Sequence, residues 1–190
     1  MISIRRPTDD AIARFRERMQ NADFSYAEVG ASADDTLPPG YHHDRHVLPI
    51  GEGERDFEAA RAALFAWKHY DAPGAHIRAL EPRPVIERGA VVLLLARHLG
   101  LYTLSACRIA YVFDEPTRRG FGYGTLEHAV RGEERFEVAL DDDGRVTLRL
   151  AAFSTPAHWL VRLGSPVARH YQAVGGKDYS RGLKLALSAK

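Results

Sequence analysis

The sequence predicts an α+β fold in which a curved antiparallel sheet of about seven strands wraps around a long C-terminal helix, with one further helix at the N-terminus. Three observations predict it. Helical periodicity appears near both ends of the chain and once between them. A run of short β-type segments with turn punctuation fills residues 75–153. The connections inside that run are too short for helical crossovers, so the strands pair antiparallel.

The elements follow in order. Thr8 to Met19 reads as an amphipathic helix capped by Thr8 or Asp9, with Ile12, Phe15 and Met19 on one stripe. Residues 21–40 are rich in Ala, Asp, Ser, Gly and Pro, and Leu37-Pro38-Pro39-Gly40 signals a turn. Tyr41 to Ile50 is an extended strand. Glu54 to Tyr70 is a helix with Phe57, Ala60, Leu64 and Trp67 on its apolar face, stopped by Asp71-Ala72-Pro73-Gly74. The remaining strands are expected at Ala75–Leu80, Ala90–Arg97, Leu104–Asp114, Arg119–Leu126, Glu133–Leu140 and Arg145–Phe153. Asp141-Asp142-Asp143-Gly144 makes a hairpin between the last two. Trp159, Leu163, Val167 and Tyr171 then form one broad helical face, with a kink or break expected at Gly175-Gly176 and a last segment carrying Tyr179, Leu183 and Leu187.

A helix with one wide apolar face needs a concave apolar sheet to receive it, which is the helix-grip architecture. The 190 residues fit a single domain over 1–190, with the N-terminal helix in 1–23 and the sheet-and-helix unit in 24–190. Apolar residues make up 45% and charged residues 27%, an ordinary globular mixture. With 26 basic and 25 acidic residues the net charge is +1, so no general attraction to nucleic acid or anionic lipid is implied. Arg5, Arg6, Arg14, Arg16 and Arg18 cluster near the N-terminus, but neighbouring acids dilute them into a solvated helix face. Cys107 is the only cysteine, which excludes an intramolecular disulfide and a four-cysteine zinc site. Met1 to Arg6 lacks the apolar region of a signal peptide, and the longest apolar run, Ala90 to Ala96, is too short to span a membrane. A cytoplasmic location is expected.

Alternation along Glu134-Arg135-Phe136-Glu137-Val138-Ala139-Leu140 puts Glu134 in line with Phe136, Val138 and Leu140, an apolar and hence inward face. A carboxylate there is paired or held protonated, unless the strand has barely started and Glu134 sits at a wet rim. Arg108 is its natural partner, as a bidentate pair, if it points inward. Both faces of Cys107-Arg108-Ile109-Ala110-Tyr111-Val112 are apolar, so parity does not decide, and the alternatives are a structural ion pair or an outward arginine. Tyr123 and Thr125 can offer hydroxyls, and the glycines between them allow sharp curvature or close approach. His128 is a candidate acid–base group at a pocket mouth or an exposed turn histidine.

His42, His43 and His46 form an HHxxH cluster in which His42 and His46 share a strand face with Asp44 between them; two imidazoles and a carboxylate could bind zinc, but no third distant ligand is identifiable, and no metal or other cofactor is expected. Cys107 reads as a buried, inert thiol. No GxSxG, Walker or GxGxxG element is present.

Tyr26-Ala27-Glu28-Val29-Gly30-Ala31, Leu37-Pro38-Pro39-Gly40-Tyr41, Phe57-Glu58-Ala59-Ala60, Cys107 to Val112, Gly122 to Leu126, Gly132 to Phe136 and Ala152 to Pro156 together resemble the motifs of a bacterial and plant family of unknown function, DUF1990. The resemblance runs from about Tyr26 to Leu187, with Ser32 in place of a threonine and Ala129 in place of a proline. It implies no established activity. The layout is similar to the START/SRPBCC superfamily, which includes Bet v 1-like and polyketide-cyclase-like proteins, and that similarity implies a pocket for an apolar or amphipathic small molecule. Such a pocket would be lined by Arg108, Tyr111, Phe113, Tyr123, Thr125, Glu134, Phe136, Phe153 and Trp159. The alternatives are an enzyme using Glu134, Arg108, Tyr123 or His128, and a structural domain with a dry core.

Overall fold

The structure, a computed structural model, describes residues 1–98, 100–127, 130–156 and 165–189. Among the described residues the eight strands are β1 (Ile2–Ser3), β2 (His42–Glu52), β3 (Ile77–Ala79), β4 (Val91–His98), β5 (Leu101–Glu115), β6 (Arg118–Glu127), β7 (Val130–Leu140) and β8 (Arg145–Pro156). The helices are α1 (Asp9–Met19), α2 (Gly53–Phe65) and α3 (Ser165–Ser188). One curled antiparallel sheet runs in the order β2-β8-β7-β6-β5-β4-β3, with β1 paired to β5. The fold is the helix-grip arrangement, and the seven long-range strands all fall where alternation and turn chemistry place them. The β7–β8 turn is closed by the Gly144 N–H donating to the Asp141 carbonyl at 2.8 Å, with Gly144 at φ 81°. No helix among the described residues is long and apolar enough to cross a membrane.

The main core lies on the concave face. Phe57, Ala60 and Leu64 of α2 and Tyr179 and Leu183 of α3 pack against Val92, Ile109, Phe121, Phe136, Val138 and Leu148 of the sheet. Burying a side chain of this size stabilises by roughly 1.5–3 kcal/mol, so this layer holds sheet and helices together. A second core lies on the convex face, where Phe15 and Met19 of α1 cover Val91, Leu93, Leu104 and Leu126. The Thr8 hydroxyl caps α1 by accepting from the Ala11 N–H at 3.3 Å. The loop at 24–41 continues this convex cover, with Tyr26 and Leu37 packed on Phe153.

Two expectations about helices are corrected. The helix expected to reach Tyr70 ends at Phe65; Trp67 adopts φ 60°, and a 3-10 turn follows at Lys68–Tyr70. Tertiary contacts override the helical pattern there, because the Trp67 indole N–H donates to the Pro84 carbonyl at 2.8 Å and its ring is fully buried. The second correction is that α3 runs unbroken through Gly175-Gly176. Close approach is marked instead at Gly182, where a Cβ would fall 2.5 Å from the Lys68 carbonyl oxygen and 2.8 Å from that of His69.

Candidate functional site

Strand register assembles a row of side chains across the concave face. Asp44 on β2 stands opposite Ala152 on β8, Ala152 opposite Glu134 on β7, Glu134 opposite Tyr123 on β6, and Tyr123 opposite Ile109 on β5. The next row, His46, Leu150, Phe136 and Phe121, is apolar apart from the histidine. The alternation in β7 therefore points as expected, with Phe136 and Val138 fully buried and Leu140 packed beside them. Glu134 ends that face, and it and Asp44 are only partly buried.

Glu134 sits at the end of a chain of tyrosine hydroxyls. Tyr123 donates to Glu134 Oε2 at 3.1 Å, the Tyr70 and Tyr123 hydroxyl oxygens are 2.7 Å apart, and the Tyr179 ring of α3 packs edge-on against Tyr70 at a centroid distance of 5.2 Å. Burial pushes all three tyrosines well above their ordinary pKa, so they stay protonated and act as donors. Burial also pushes the Glu134 carboxyl up to about 7; the Tyr123 hydrogen bond opposes this, and the charge of Asp44 adds to it. Cys107 is fully buried and its thiol is raised by burial and by Glu134, which fits an inert thiol.

His69 lies among the same aromatic rings, with centroids 4.4 Å from Tyr70, 4.9 Å from Phe136 and 5.6 Å from Tyr179. It is fully buried, and neither ring nitrogen has a hydrogen-bond partner among the described residues. Burial pushes it down to about 3, helped by Arg83 and opposed by Asp71, so the imidazole is neutral.

The expected pairing of Arg108 with Glu134 is corrected. The Arg108 guanidinium donates to the carbonyls of Ala22 at 2.7 Å, Gln20 at 2.9 Å and Met19 at 3.2 Å, closing the C-terminal end of α1 on the convex side. Tyr111, Phe113 and Phe153, expected to line the pocket, are corrected in the same sense, because all three lie on the convex face. The Tyr111 hydroxyl is 2.7 Å from Ser32 Oγ and its ring lies over Gly122; Phe113 lies over Gly120. Phe153 is buried between Tyr26 and Tyr41, at centroid distances of 5.6 and 5.0 Å. A bulge between Ile109 and Tyr111 turns the strand over, so Ile109 shares the face of Tyr123 while Tyr111 shares that of Gly122.

Thr125 is engaged within the fold: its hydroxyl accepts from the Gly132 N–H at 3.0 Å and lies 2.7 Å from Ser25 Oγ. Tyr123, Glu134 and Phe136 are therefore the expected pocket residues that meet on the concave face. Trp159 and His128 lie outside the described residues. Of the histidine cluster, His42 Nε2 is 3.4 Å from Asp44, His43 is 2.7 Å from the Pro38 carbonyl, and His46 lies against Gly176 of α3. Among the described residues no three His, Cys, Asp or Glu side chains come together to hold a metal ion.

Tyr70, Tyr179 and His69 are site residues that sequence reasoning missed, and it read Asp44 only as a possible metal ligand between the histidines. Each sits in a pattern with an ordinary local reading, and only the sheet register and the packing of α3 bring them to Glu134. On the convex side it also missed Glu133, a buried carboxylate that accepts from the Tyr26 hydroxyl at 2.6 Å, the Gly30 N–H at 2.8 Å and the Ser32 N–H at 2.9 Å.

Comparison with known proteins agrees with this architecture. Norcoclaurine synthase from Thalictrum flavum superposes with a TM-score of 0.53 at 11% identity, over 88% of this chain and 96% of its own, a likeness of fold. In sequence, a UPF0548 protein from Deinococcus radiodurans is 38% identical over 190 residues, spanning 95% of this chain and 96% of that one. A UPF0548 protein from Dictyostelium discoideum is 30% identical over 194 residues, spanning 90% and 89%. The family model described as a domain of unknown function (DUF1990) matches residues 25–182, from the Tyr26 loop that holds Glu133 to the α3 glycine seated on the 3-10 turn, and the chain belongs to that family.

Proposed function

We propose that the protein binds a small apolar or amphipathic molecule against the concave face of the sheet, beneath α3, with Glu134 and Tyr123 holding its polar end. The observation that carries this reading is the Glu134 carboxyl, partly buried on an otherwise apolar face and hydrogen-bonded to a tyrosine hydroxyl alone among the contacts described. A carboxyl in such a place costs stability, and an apolar residue would pack there at lower cost. Sites of this composition, mostly apolar with few converging polar groups, suit small-molecule recognition.

The test is native mass spectrometry of gently purified protein, followed by denaturation and analysis of what is released. A discrete molecule, lost when Tyr123→Trp fills the site, supports the reading. A clean apo mass in several preparations, together with no binding from a panel of small amphiphiles, overturns it.

A second reading is favoured by the ionisation of Glu134. A carboxyl poised near neutrality, backed by tyrosine donors, suits acid–base chemistry on the bound molecule. If turnover of a released ligand is found, its rate should follow the Glu134 titration and fall about a hundredfold or more in Glu134→Gln. A rate unchanged in that variant removes Glu134 from catalysis.

A further inference from the structure

We propose that the molecule taken at Glu134 carries a basic nitrogen, so that the ligand class is an apolar amine rather than an acid or an alcohol. This rests on the binding reading above and names the polar end that the site accepts.

The first ground is the segregation of charge by strand parity. On the concave face the row contains two carboxylates, Asp44 and Glu134, two strands or about 10 Å apart. Three arginines of the same strands are engaged elsewhere. Arg108 is on the α1 carbonyls, Arg135 donates to the Ala33 carbonyl at 3.0 Å and lies 3.7 Å from Glu137, and Arg149 pairs with Glu137 and Asp141. The titratable groups described as acting on Glu134 or responding to it are Asp44 from β2, Tyr123 from β6, Cys107 from β5, Tyr70 from the 3-10 turn and Tyr179 from α3. Among the described residues none of these is a cation; the basic side chains on this face are His42, 3.4 Å from Asp44, and His46 in the next row.

The second ground is the direction of the hydrogen bonds. Tyr123 gives its proton to Glu134, so in its contact with Tyr70 it accepts. The Tyr123 hydroxyl is directed at one carboxylate oxygen, Oε2, and among the described residues no contact engages Oε1. A ligand carboxylate would meet like charge there and an alcohol would satisfy one acceptor. An ammonium donates a hydrogen bond and supplies a positive charge to the carboxylates together. The aromatic rings of this neighbourhood add a face that attracts cations.

The experiment compares three probes of one shape, phenethylamine, phenylpropanoate and phenylethanol, by calorimetry at pH 6.5 and 8 in two buffers of different ionisation enthalpy. Expected are a preference for the amine of about tenfold or more over both others, tighter amine binding at the higher pH as Glu134 ionises, and proton release on binding at the lower pH. In Glu134→Gln, which keeps the shape and the Tyr123 partner, the preference collapses to the alcohol's level while folding, checked by circular dichroism, is retained. Tyr123→Phe serves as the second variant and weakens all three probes without reversing their order. Equal or tighter binding of the acid or alcohol, no binding of the amine, or a preference that survives Glu134→Gln overturns the amine assignment. A released native ligand that is acidic or neutral does so too, while leaving the binding reading intact.

Discussion

Glu133 and Glu134 are adjacent in sequence and live in opposite environments, because strand alternation sends one to each face of the sheet. On the convex face Glu133 accepts hydrogen bonds from Tyr26, Gly30 and Ser32, so one loop is fastened to the sheet through one carboxylate. Tyr26→Phe removes one of these donors from a buried acceptor, and a loss of about 1–3 kcal/mol in unfolding free energy is expected, read from the urea midpoint. Arg108→Met breaks a different fastening, the cap on the α1 carbonyls, at a cost of about 1–2 kcal/mol. The Glu134 titration, followed by carboxyl NMR, should stay where it was. A large shift of that titration would mean that Arg108 reaches the concave face after all. The face of Glu134 is legible in the sequence, since alternation with Phe136 and Val138 admits one reading. The direction of Arg108 is not, because α1 and the 24–41 loop cover the convex side with apolar groups and leave both faces of β5 hydrophobic.

At the scale of the elements, the glycines of α3 separate two physical roles that look alike in sequence. At Gly175 an added methyl would meet nothing closer than 3.8 Å, whereas at Gly182 it would enter the backbone carbonyls of Lys68 and His69. Gly175→Ala is therefore expected to gain about 0.5–1 kcal/mol from helix propensity. Gly182→Ala is expected to lose about 1–3 kcal/mol, since backbone atoms cannot yield as a side chain would and α3 must lift from the 3-10 turn. Thermal melts of the two variants should move in opposite directions, and a shared direction would refute the tight seat of α3. Strands and turns were legible because their signals are local: period-two runs, and a hairpin written in Asp141 to Gly144. The early end of α2 and the bulge after Ile109 were not. Trp67 leaves the helix for a partner at Pro84, and the bulge depends on pairing between strands, so neither has a signal inside its own window.

Across the whole molecule, the concave core contains two groups whose ionisation is displaced by the same burial in opposite thermodynamic senses. Glu134 rises to about 7, so the native state holds a proton that the unfolded chain gives up near pH 4.5; this contribution is largest at acidic pH and is lost as pH rises through 7. His69 falls to about 3, so the unfolded chain takes up a proton near pH 6.5 that the native state refuses; its contribution is full above 6.5 and is lost as pH falls toward 3. Each displaced group has a slope approaching about 1.4 kcal/mol per pH unit where it acts alone, and between pH 4.5 and 6.5 the two slopes oppose. The native protein should then owe little of its pH dependence in this window to either group. Glu134→Gln uncovers the histidine, so that stability falls on acidification from 6.5 to 4.5. His69→Phe, which keeps a ring among the aromatic neighbours, uncovers the glutamate, so that stability rises over the same span. The double variant returns toward the shape of the parent curve. Urea denaturation at half-unit steps of pH measures all four, and the surface carboxylates drop out because they are common to every curve. Four parallel curves would show that neither group is held away from its ordinary ionisation by this core, and would take with them the strained carboxyl on which the binding site is argued.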